Sequence, residues 1–508
     1  MAHLDPLGVF QLIDAKLKTS PHREQLSVLR RRLAGEVTSV PELVDETLAP
    51  GFALVMQAGG ARRVLGRDAV IAAARGSAAG LSWAEADDLV VDDGVIAGHG
   101  RLTDVGRLRP LSSPNEQEDP SMAVNGIGAL RGADEGLNHQ IADTFATVAE
   151  SDLAWTEKIW GSIARVDGSL QVNFGLGKYH NRGIIDGFGG VSRGREQWTV
   201  RGSRELRSAP EEAGVGPVQY EVVEPVNRVR FRLEPNEVQP VSFDVELSGV
   251  TPPFFEERNL VRNRHSGRID VNVIRYHQGG WATGTITVNG ETIPLKPGEW
   301  FGFRDHSWGV RQSVGLPPAD LIPGRGAASH SVKGGMKWTP AFFTKPDGTS
   351  YETAIFLAEG VWGYSSAYVN QADGTQDRVR TVEPHISYDP RTRYVTGGEL
   401  HLVMDSGDKR VIEVEVPGDS GFFLKTAGYG KWADHIHGTW RGKLHLDGEY
   451  IPDCSDDEHL RSLGQLRDTP IRVREGDAVG YGIMESLISG VWPELGLTAE
   501  SDHLVSFS

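Results

Sequence analysis

Hydrophobic and polar residues alternate with a period of two along much of the chain after about residue 139. Clear examples are the segments 229–233 and 241–247, in which every second side chain is apolar. This alternation is typical of strands that have one face on a core and the other toward solvent. Turn-forming residues, above all glycine, separate these segments. The pattern therefore predicts a mainly β region that extends to residue 508.

The pattern of the first 110 or so residues is mixed. Leucines recur at helical spacing in the segment 20–33, after a serine and a proline that favour the start of a helix. Strands are predicted at 52–56, 88–91 and 95–98, and a further helix is predicted at 68–75. Helices and paired strands of these lengths indicate a small α+β domain over residues 1–112. The polar segment 113–138 is predicted to be a linker.

A second stretch rich in proline, glycine and serine, residues 316–338, divides the β region into two parts of similar size. We therefore predict one β domain at 139–315 and another at 339–508. An internal repeat supports this division, because residues 277–294 align without a gap to residues 435–452. The predicted fold class is mainly β, with two antiparallel β-barrel or sandwich domains that are related by this repeat and preceded by the α+β domain.

Both copies of the repeat carry a dipeptide that favours the tight turn of a two-residue hairpin. The first copy has Asn289-Gly290, and Asp447-Gly448 stands at the matching position of the second. These dipeptides readily adopt the positive φ angles of a type I′ turn. Each copy is therefore predicted to be strand, turn, strand. A cleft inside or between two such barrels can hold one apolar ligand.

Charge and composition argue against several classes of partner. The net charge of −17 is spread along the chain, which does not suit nucleic acid or an anionic membrane. Because there is no long apolar run and no signal-peptide pattern, we expect a cytoplasmic protein without stable membrane insertion. Cys454 is the single cysteine, and the glycine-rich segment 174–190 lacks the ending of a phosphate loop. We therefore predict no disulfide, no metal and no cofactor.

The segment 300–308 carries the strongest chemical signal. An acid and an imidazole stand in it among aromatic and basic residues, and the candidates are Trp300, Phe303, Arg304, Asp305, His306 and Trp308. Burial among aromatic rings favours the protonated form of a carboxyl group, as a general acid requires. The alternative is a structural Asp–Arg pair in a barrel wall. Alternate residues of a strand share a face, so Asp305 lies with Phe303, and the sequence leaves open whether this face lines a cavity.

Other candidate residues lie outside this segment. Glu485 follows the second copy of the repeat roughly as Asp305 follows the first. The two carboxyl groups would divide acid and base roles, and the alternative for Glu485 is a pair with a structural arginine. His435 and His437 would share a strand face, which suits polar lining of a cavity or two ligands of a metal without an identifiable third. The predicted substrate contacts outside the segment are Tyr179, Tyr276, His435 and His437.

The β region, residues 139–508, resembles the carotenoid 1,2-hydratase (hydroxyneurosporene synthase) family and its lipocalin-like relatives. The resemblance rests on residues 300–308, on the glycine-rich segment from Tyr179 to Gly190, and on residues 435–442. It implies two lipocalin-like barrels and a hydrophobic ligand derived from an isoprenoid, a lipid or a polyketide.

The same resemblance implies a chemical role for the central segment. Asp305 would protonate an isolated alkene, and Trp300 and Trp308 are the other two residues that the resemblance carries over. Trp300, Phe303 and Trp308 would shield the cationic intermediate, because ring faces attract positive charge. The residue at the position where a tyrosine is expected is Phe303, whose ring has no hydroxyl group that could assist the proton transfer.

Residues 5–110 resemble the nuclear transport factor 2-like (SnoaL-like) fold. The segments that carry this resemblance are 48–52 and 66–71. Many members of that fold are dimerisation or binding modules, so the resemblance implies such a role and is compatible with a homodimer.

These observations favour a cofactor-independent hydratase or dehydratase that protonates a terpenoid-, steroid- or lipid-like substrate. Asp305 would be the acid, and His306 or Glu485 would orient the water. One alternative is a non-catalytic carrier of a hydrophobic small molecule. Another is an isomerase or cyclase of polyketide- or terpenoid-type substrates.

Overall fold

The computed structural model describes residues 148, 150–206, 212–263, 266–315, 333–360, 365–433 and 435–505, and the backbone of four strands between residues 53 and 102. The chain forms two compact units, Met1–Phe145 and Ala146–Ser508. Within these described ranges, no helix is both long enough and apolar enough to cross a membrane.

The first unit contains a four-stranded sheet. Its strands are β1 (Ala53–Ala58), β2 (Ala61–Gly66), β3 (Trp83–Asp92) and β4 (Val95–Leu102). Their order is β2-β1-β4-β3, and β1 runs parallel to β4. The predicted strands at 52–56, 88–91 and 95–98 overlap β1, β3 and β4 and are confirmed. The predicted helices at 20–33 and 68–75 and the linker at 113–138 lie outside the described residues, and the SnoaL-like resemblance stays a prediction.

The second unit begins with a 14-stranded antiparallel sheet, which we call the first β module. Its strands are β5 (Trp155–Arg165), β6 (Leu170–Tyr179), β7 (Ile184–Arg193), β8 (Glu196–Glu205), β9 (Gly214–Val215), β10 (Val218–Glu224), β11 (Arg228–Leu233), β12 (Val241–Gly249), β13 (Phe254–Phe255), β14 (Asn259–Arg262), β15 (Ile269–Val288), β16 (Glu291–Leu295), β17 (Trp300–Val310) and the distant β25 (Leu444–Ile451). Because β17 pairs with β5, the sheet curls around one apolar core as a half-barrel.

The remaining strands of the second unit form a nine-stranded sheet, which we call the second β module. These strands are β18 (Gly334–Thr344), β19 (Ser350–Gly360), β20 (Ser366–Gln371), β21 (Gln376–Tyr388), β22 (Val395–Met404), β23 (Lys409–Glu415), β24 (Phe422–Phe423), β26 (Arg467–Glu475) and β27 (Ala478–Ser489). Pairing of β23 with β26 closes eight of them into a barrel. Short helices complete the unit: α1 (Asp457–Leu463), α2 (Ala499–Leu504) and 3-10 turns at His180–Arg182, Leu424–Ala427 and Pro493–Leu495.

The predicted fold class is confirmed, since both modules are antiparallel and lipocalin-like in architecture. Each module has its own core, and a third apolar cluster lies between the modules. This third cluster contains Trp160 and Phe303 from the first module and Trp338 and Phe342 from the second. The strands β5 and β17 are therefore covered on both faces, one by their own core and the other by the second module.

The two copies of the sequence repeat adopt different structures. The first copy is the predicted hairpin, with Asn289 at φ 51° and Gly290 at φ 83° between β15 and β16. The prediction for the second copy is wrong, because Asp447 and Gly448 lie inside β25, which pairs along its whole length with β8. Gly448 packs so closely against this neighbour that a Cβ atom would lie 2.2 Å from the Thr199 carbonyl oxygen.

Pairing with the edge of the first module explains why the second copy stays extended. The backbone of β25 gains its hydrogen bonds from β8, and Arg201 binds the Asp447 carboxylate with Nε–Oδ1 and Nη2–Oδ2 distances of 3.0 and 3.1 Å. A strand from the predicted second domain therefore completes the sheet of the first. The predicted linker 316–338 is also too long at its end, because β18 begins at Gly334.

Candidate functional site

The two faces of β17 point to different parts of the unit. Trp300 is buried in the core of the first module, whereas Phe301 and Phe303 belong to the cluster between the modules. The Phe303 ring lies 5.8 Å from that of Phe342 on β18. Since Asp305 shares a face with Phe303, its carboxyl group faces the second module. The sequence left open what the face with Phe303 and Asp305 lines, and in the structure this face lies at the interface between the two modules.

Asp305 forms a buried ion pair at this interface. Its Oδ2 atom lies 2.9 Å from Nε of Arg275 on β15, and a second acid, Glu256, lies 3.5 Å from the same guanidinium. A buried Asp–Arg pair is therefore present, but its arginine is Arg275. Arg304 lies on the other face of β17 and donates two hydrogen bonds to Gln278.

Glu485 occupies the position in the second module that Asp305 occupies in the first. β17 pairs with β5 in the first module as β27 pairs with β18 in the second, and Asp305 is the register partner of Trp160 as Glu485 is of Trp338. The two indole rings meet edge to face with centroids 5.0 Å apart. The correspondence between Glu485 and Asp305 that the sequence suggested therefore holds in the pairing of the strands.

The chemical environment of Glu485 differs from that of Asp305. Its register partner on β26 is another acid, Asp468, which accepts hydrogen bonds from Trp160 Nε1 at 3.1 Å and from the Asn173 amide. Burial raises the pKa of Glu485 to about 7, and burial together with Glu485 raises the pKa of Asp468 well above its usual range. The two carboxyl groups thus share a proton near neutral pH, and the charge of Arg275 acts in the opposite direction by lowering the Glu485 pKa.

Replacing Glu485 by glutamine is expected to change how stability depends on pH. The raised pKa, about 7 against an ordinary 4.5, means that the folded chain holds a proton that the unfolded chain has lost. This carboxyl group therefore lowers stability as pH rises from about 4.5 to about 7. Across that window the free energy of unfolding of Glu485→Gln should rise relative to the unaltered protein by up to about 1.4 kcal/mol per pH unit.

Urea unfolding between about pH 4 and about pH 8 measures this difference. Burial lowers the pKa of His437 to about 4, and its opposite pH dependence cancels when the two proteins are compared. Glu494→Gln is a suitable control, because Glu494 is exposed and bound to Lys333. A stability difference for Glu485→Gln that is independent of pH would contradict the shared proton.

A second polar group lies near the end of β17 and contains two of the predicted residues. Tyr179 donates a hydrogen bond of 2.8 Å to Asp186, whose other oxygen accepts 2.7 Å from the Gly438 backbone N–H. Nδ1 of His437 lies 3.5 Å from Asp186. Burial opposes the Asp186 anion, but hydrogen bonds from His437 and Gly438 outweigh it and lower the Asp186 pKa.

His437 is therefore held as a neutral imidazole. Burial, reinforced by the positive charge of Lys158, lowers the pKa of His437 to about 4. With Nδ1 directed at Asp186, the consistent tautomer carries its proton there and leaves a lone pair on Nε2. The Nε2 atom is buried and has no hydrogen-bond partner within the described part of the chain. This arrangement is that of a base whose orientation is fixed by a carboxylate.

His437 lines a cavity of about 80 Å³ between the two modules. Its wall also contains two basic side chains, Lys158 and Arg311, and the phenols of Tyr179 and Tyr429. Burial raises the pKa of both phenols well above the usual range, so they keep their protons. The cavity thus combines a neutral imidazole, a lysine amine, a guanidinium and two hydroxyl donors.

The predicted residues do not all converge on this cavity. Tyr179 and His437 line it, whereas Asp305 acts on it through charge, being close enough to influence Lys158, Arg311 and Tyr429. Trp300 is a core residue of the first module. The interpretation of Phe303 as a substrate contact is replaced by packing between the modules.

The remaining predicted residues form two other groups. His306 contacts Glu157 at 2.9 Å and the Tyr276 hydroxyl at 3.0 Å, and Trp308 packs beside this imidazole with ring centroids 5.5 Å apart. His435 lines a separate cavity of about 40 Å³ that touches the other side of His437. The residues around 435–438 form a turn, so His435 and His437 do not share a strand face. Among the described residues, no set of three or more possible ligands is arranged to hold a metal ion.

Several site residues were missed by the sequence reasoning. They are Lys158, Asp468, Arg275 and Tyr429. Lys158 had a usable signal, since alternation along β5 places it on the same face as Trp160 and Ala164. A lysine at a buried strand position is rare unless it has a partner or a function. The other three residues had no local signal, because their partners lie on distant strands.

Comparison with solved structures shows distant likenesses. A protein assigned as an AttH from Nitrosomonas europaea is 14% identical with a TM-score of 0.38, over 66% of this chain and 94% of its own. Kievitone hydratase from Nectria haematococca is 12% identical with a TM-score of 0.31, over 66% and 89%. CghA is 9% identical with a TM-score of 0.35 over the same shares. Similarity this low supports no conclusion about the reaction.

Sequence comparisons give a firmer assignment. A search of curated protein sequences finds no match. The profile of a family of unknown function, DUF8625, matches residues 131–498, which include all strands of both β modules. Since this match spans most of the chain, the protein belongs to that family of unknown function.

Proposed function

We propose that this protein is a cofactor-independent hydratase or dehydratase that acts in the cavity between the two β modules. The observation that carries the proposal is the placement of a neutral base, a guanidinium and a lysine amine around one small cavity. His437 presents an unbonded Nε2 atom, while Lys158 and Arg311 line the same space. A base beside a guanidinium is suited to removing a proton from carbon next to a carbonyl group, because the positive charge stabilises the resulting enolate.

The reaction that fits is the reversible loss of water from a β-hydroxycarbonyl compound. His437 removes the proton from the α carbon, and negative charge develops on the carbonyl oxygen near Arg311 and Lys158. The hydroxyl group on the β carbon then leaves with the proton that His437 carries, forming water and a conjugated alkene. Hydration follows the same path in reverse.

In this proposal Asp305 and Glu485 support the cavity electrostatically. Asp305 is engaged by Arg275 at 2.9 Å and does not line the cavity, which does not suit the predicted protonation of an alkene by that residue. It lies close enough to Lys158 and Arg311 to influence both side chains. Direct protonation by Asp305, as the resemblance to carotenoid hydratases implies, is the competing mechanism.

The size and walls of the cavity indicate how a substrate would bind. A volume of about 80 Å³ accommodates the reacting end of a substrate rather than a whole polycyclic molecule. Val314 and Tyr179 line the cavity and belong to an apolar cluster that also includes Val310. A hydrophobic body attached to the reacting group, whether terpenoid-, steroid- or lipid-like, would contact this cluster. Each module has a core packed with apolar side chains.

Incubation of the full-length protein with diacetone alcohol, its enone mesityl oxide and longer-chain analogues tests the proposal. In oxygen-18 water we expect conversion between hydroxyketone and enone, with label in the hydroxyketone. In deuterium oxide we expect exchange of the α proton of a saturated ketone, because that step needs only the base. Hydration of an isolated alkene that requires Asp305 and proceeds without α-proton exchange would overturn the proposal in favour of the competing mechanism.

A further inference from the structure

Lys158 differs from an ordinary surface lysine in both burial and partners. It is 5% exposed, on a strand that is covered on both faces. Among the residues that the structure describes, no carboxylate oxygen lies within 4.0 Å of its amino group, and Nζ instead lies 3.5 Å from the centroid of the Tyr429 ring. By contrast, the exposed Lys333 is paired with Glu494 at 3.0 Å. The fold thus buries an amine without the acid that usually accompanies one.

The surroundings of Lys158 favour the uncharged amine. Burial and then the nearby charge of Arg311 lower the pKa of Lys158 well below its ordinary value. Removal of water and a neighbouring cation are the two conditions that make lysine amines nucleophilic. A structural cation would need neither condition.

The position of Lys158 is also that of a nucleophile. Its side chain and that of His437 line the same cavity of about 80 Å³, which is large enough for a carbonyl group and its neighbouring carbon atoms. Tyr179 and Tyr429, with their protonated phenols, complete the wall. An amine, a base and hydroxyl donors therefore face one small space, as the formation and breakdown of an imine require.

We propose that Lys158 is the nucleophile of the site and forms an imine with the carbonyl carbon of an aldehyde or ketone. This inference rests on the proposed function and specifies its substrate class and its electron acceptor. The amine nitrogen adds to the carbonyl carbon, and the resulting carbinolamine loses the carbonyl oxygen as one molecule of water. Protonation of the nitrogen then gives an iminium ion.

The iminium ion takes over the task that an enolate would otherwise have. His437 removes the α proton, and the electron pair of that bond moves to the iminium nitrogen to give an enamine. The enamine expels the β-hydroxyl group, which leaves as water with the proton from His437. One water molecule then hydrolyses the conjugated iminium ion, releasing the enone and restoring the Lys158 amine. The net change is loss of one water molecule, and no other reactant is needed.

Reductive trapping tests this inference without requiring turnover. The full-length protein is incubated with acetone and sodium cyanoborohydride at neutral pH, and isopropyl-lysine is located by peptide mass mapping. We expect modification of Lys158 at least about tenfold faster than that of the exposed lysines, because this amine is both desolvated and next to a cation. Equal or slower modification of Lys158 would overturn the inference.

Two variants make the result specific. Lys158→Arg keeps a basic side chain of similar length but cannot form an imine, so rapid trapping should disappear while the unfolding midpoint is retained. Lys425→Met is the matched control, because Lys425 is also buried and burial lowers its pKa, yet it does not line the cavity. Trapping at Lys158 should be unchanged in this control.

The outcome also separates the inference from the proposed function. Rapid trapping at Lys158 in a protein that never exchanges water with a β-hydroxyketone would support the imine and contradict the hydratase. Dehydration at an unchanged rate in Lys158→Arg would support the hydratase and overturn the imine.

Discussion

Replacement of His437 by glutamine is expected to lower the rate of β-hydroxyketone dehydration by about a hundredfold to ten-thousandfold, the usual contribution of a positioned general base. Glutamine keeps a polar side chain of similar length beside Asp186, but its amide has no basic nitrogen. The loss should fall on kcat more than on KM, because the proton transfer is made only in the transition state. Initial rates with diacetone alcohol or a longer analogue measure the effect.

The pH profile gives this prediction a readout that a purely structural role would not change. Burial lowers the pKa of His437 to about 4, so the base stays unprotonated and effective as pH falls from neutrality toward 5. The part of the activity that depends on His437 should decline only as pH falls through about 4. A decline caused by titration of a Glu or Asp side chain elsewhere would also appear in His437→Gln.

A distant histidine serves as the control for this substitution. His401→Gln removes an exposed imidazole that is paired with Glu399 on the second module, and activity should be unchanged. Full activity of His437→Gln, with folding confirmed by its unfolding midpoint, would show that the base lies elsewhere.

Replacement of Asp305 by asparagine is expected to lower the free energy of unfolding by about 3 kcal/mol. The change keeps the shape of the side chain but leaves the Arg275 guanidinium without the anion that lies 2.9 Å from it. Breaking one half of a buried ion pair is costly because the remaining charge stays desolvated. The cost should be near the lower end of the usual range, since Glu256 remains 3.5 Å from Arg275. Urea unfolding of the full-length protein measures it.

A double-mutant cycle with Arg275→Met distinguishes the ion pair from general disturbance of the interface. The double variant should be less destabilised than the sum of the single variants, because the unpaired charge has been removed. Asp244→Asn is the surface control, since the Arg230–Asp244 pair is exposed and should contribute little. Strictly additive effects of Asp305→Asn and Arg275→Met would contradict the pair.

The location of the site at a boundary has a further physical consequence. The cavity wall takes Lys158 and Tyr179 from the first module, while Tyr429 and His437 come from the segment between β24 of the second module and β25 of the first. The segment reaches the first module because β25, which follows it, pairs with β8. Exchange of this strand between the modules therefore holds the base and its cavity together.

Local patterns determined a substantial part of this protein. Alternation along 300–308 placed Asp305 and Phe303 on one face, and the structure retains that division because strand geometry is local. The Asn289-Gly290 turn was equally readable, since these residues adopt positive φ angles regardless of what surrounds them. The mainly β fold follows from the same periodicity.

Partners that are distant in sequence could be assigned only by the tertiary structure. The pairing of β25 with β8 overrode the turn preference of Asp447-Gly448, because an unpaired sheet edge offered a full set of backbone hydrogen bonds. Asp305 gained Arg275 as its partner, and Glu485 became a proton-sharing acid through its contact with Asp468. The sequence alone determined which residue types are present and which face of its strand each one occupies. Packing of the two modules decided which charges were neutralised and where the cavity lay, because desolvation and ion pairing depend on neighbours that no local pattern records.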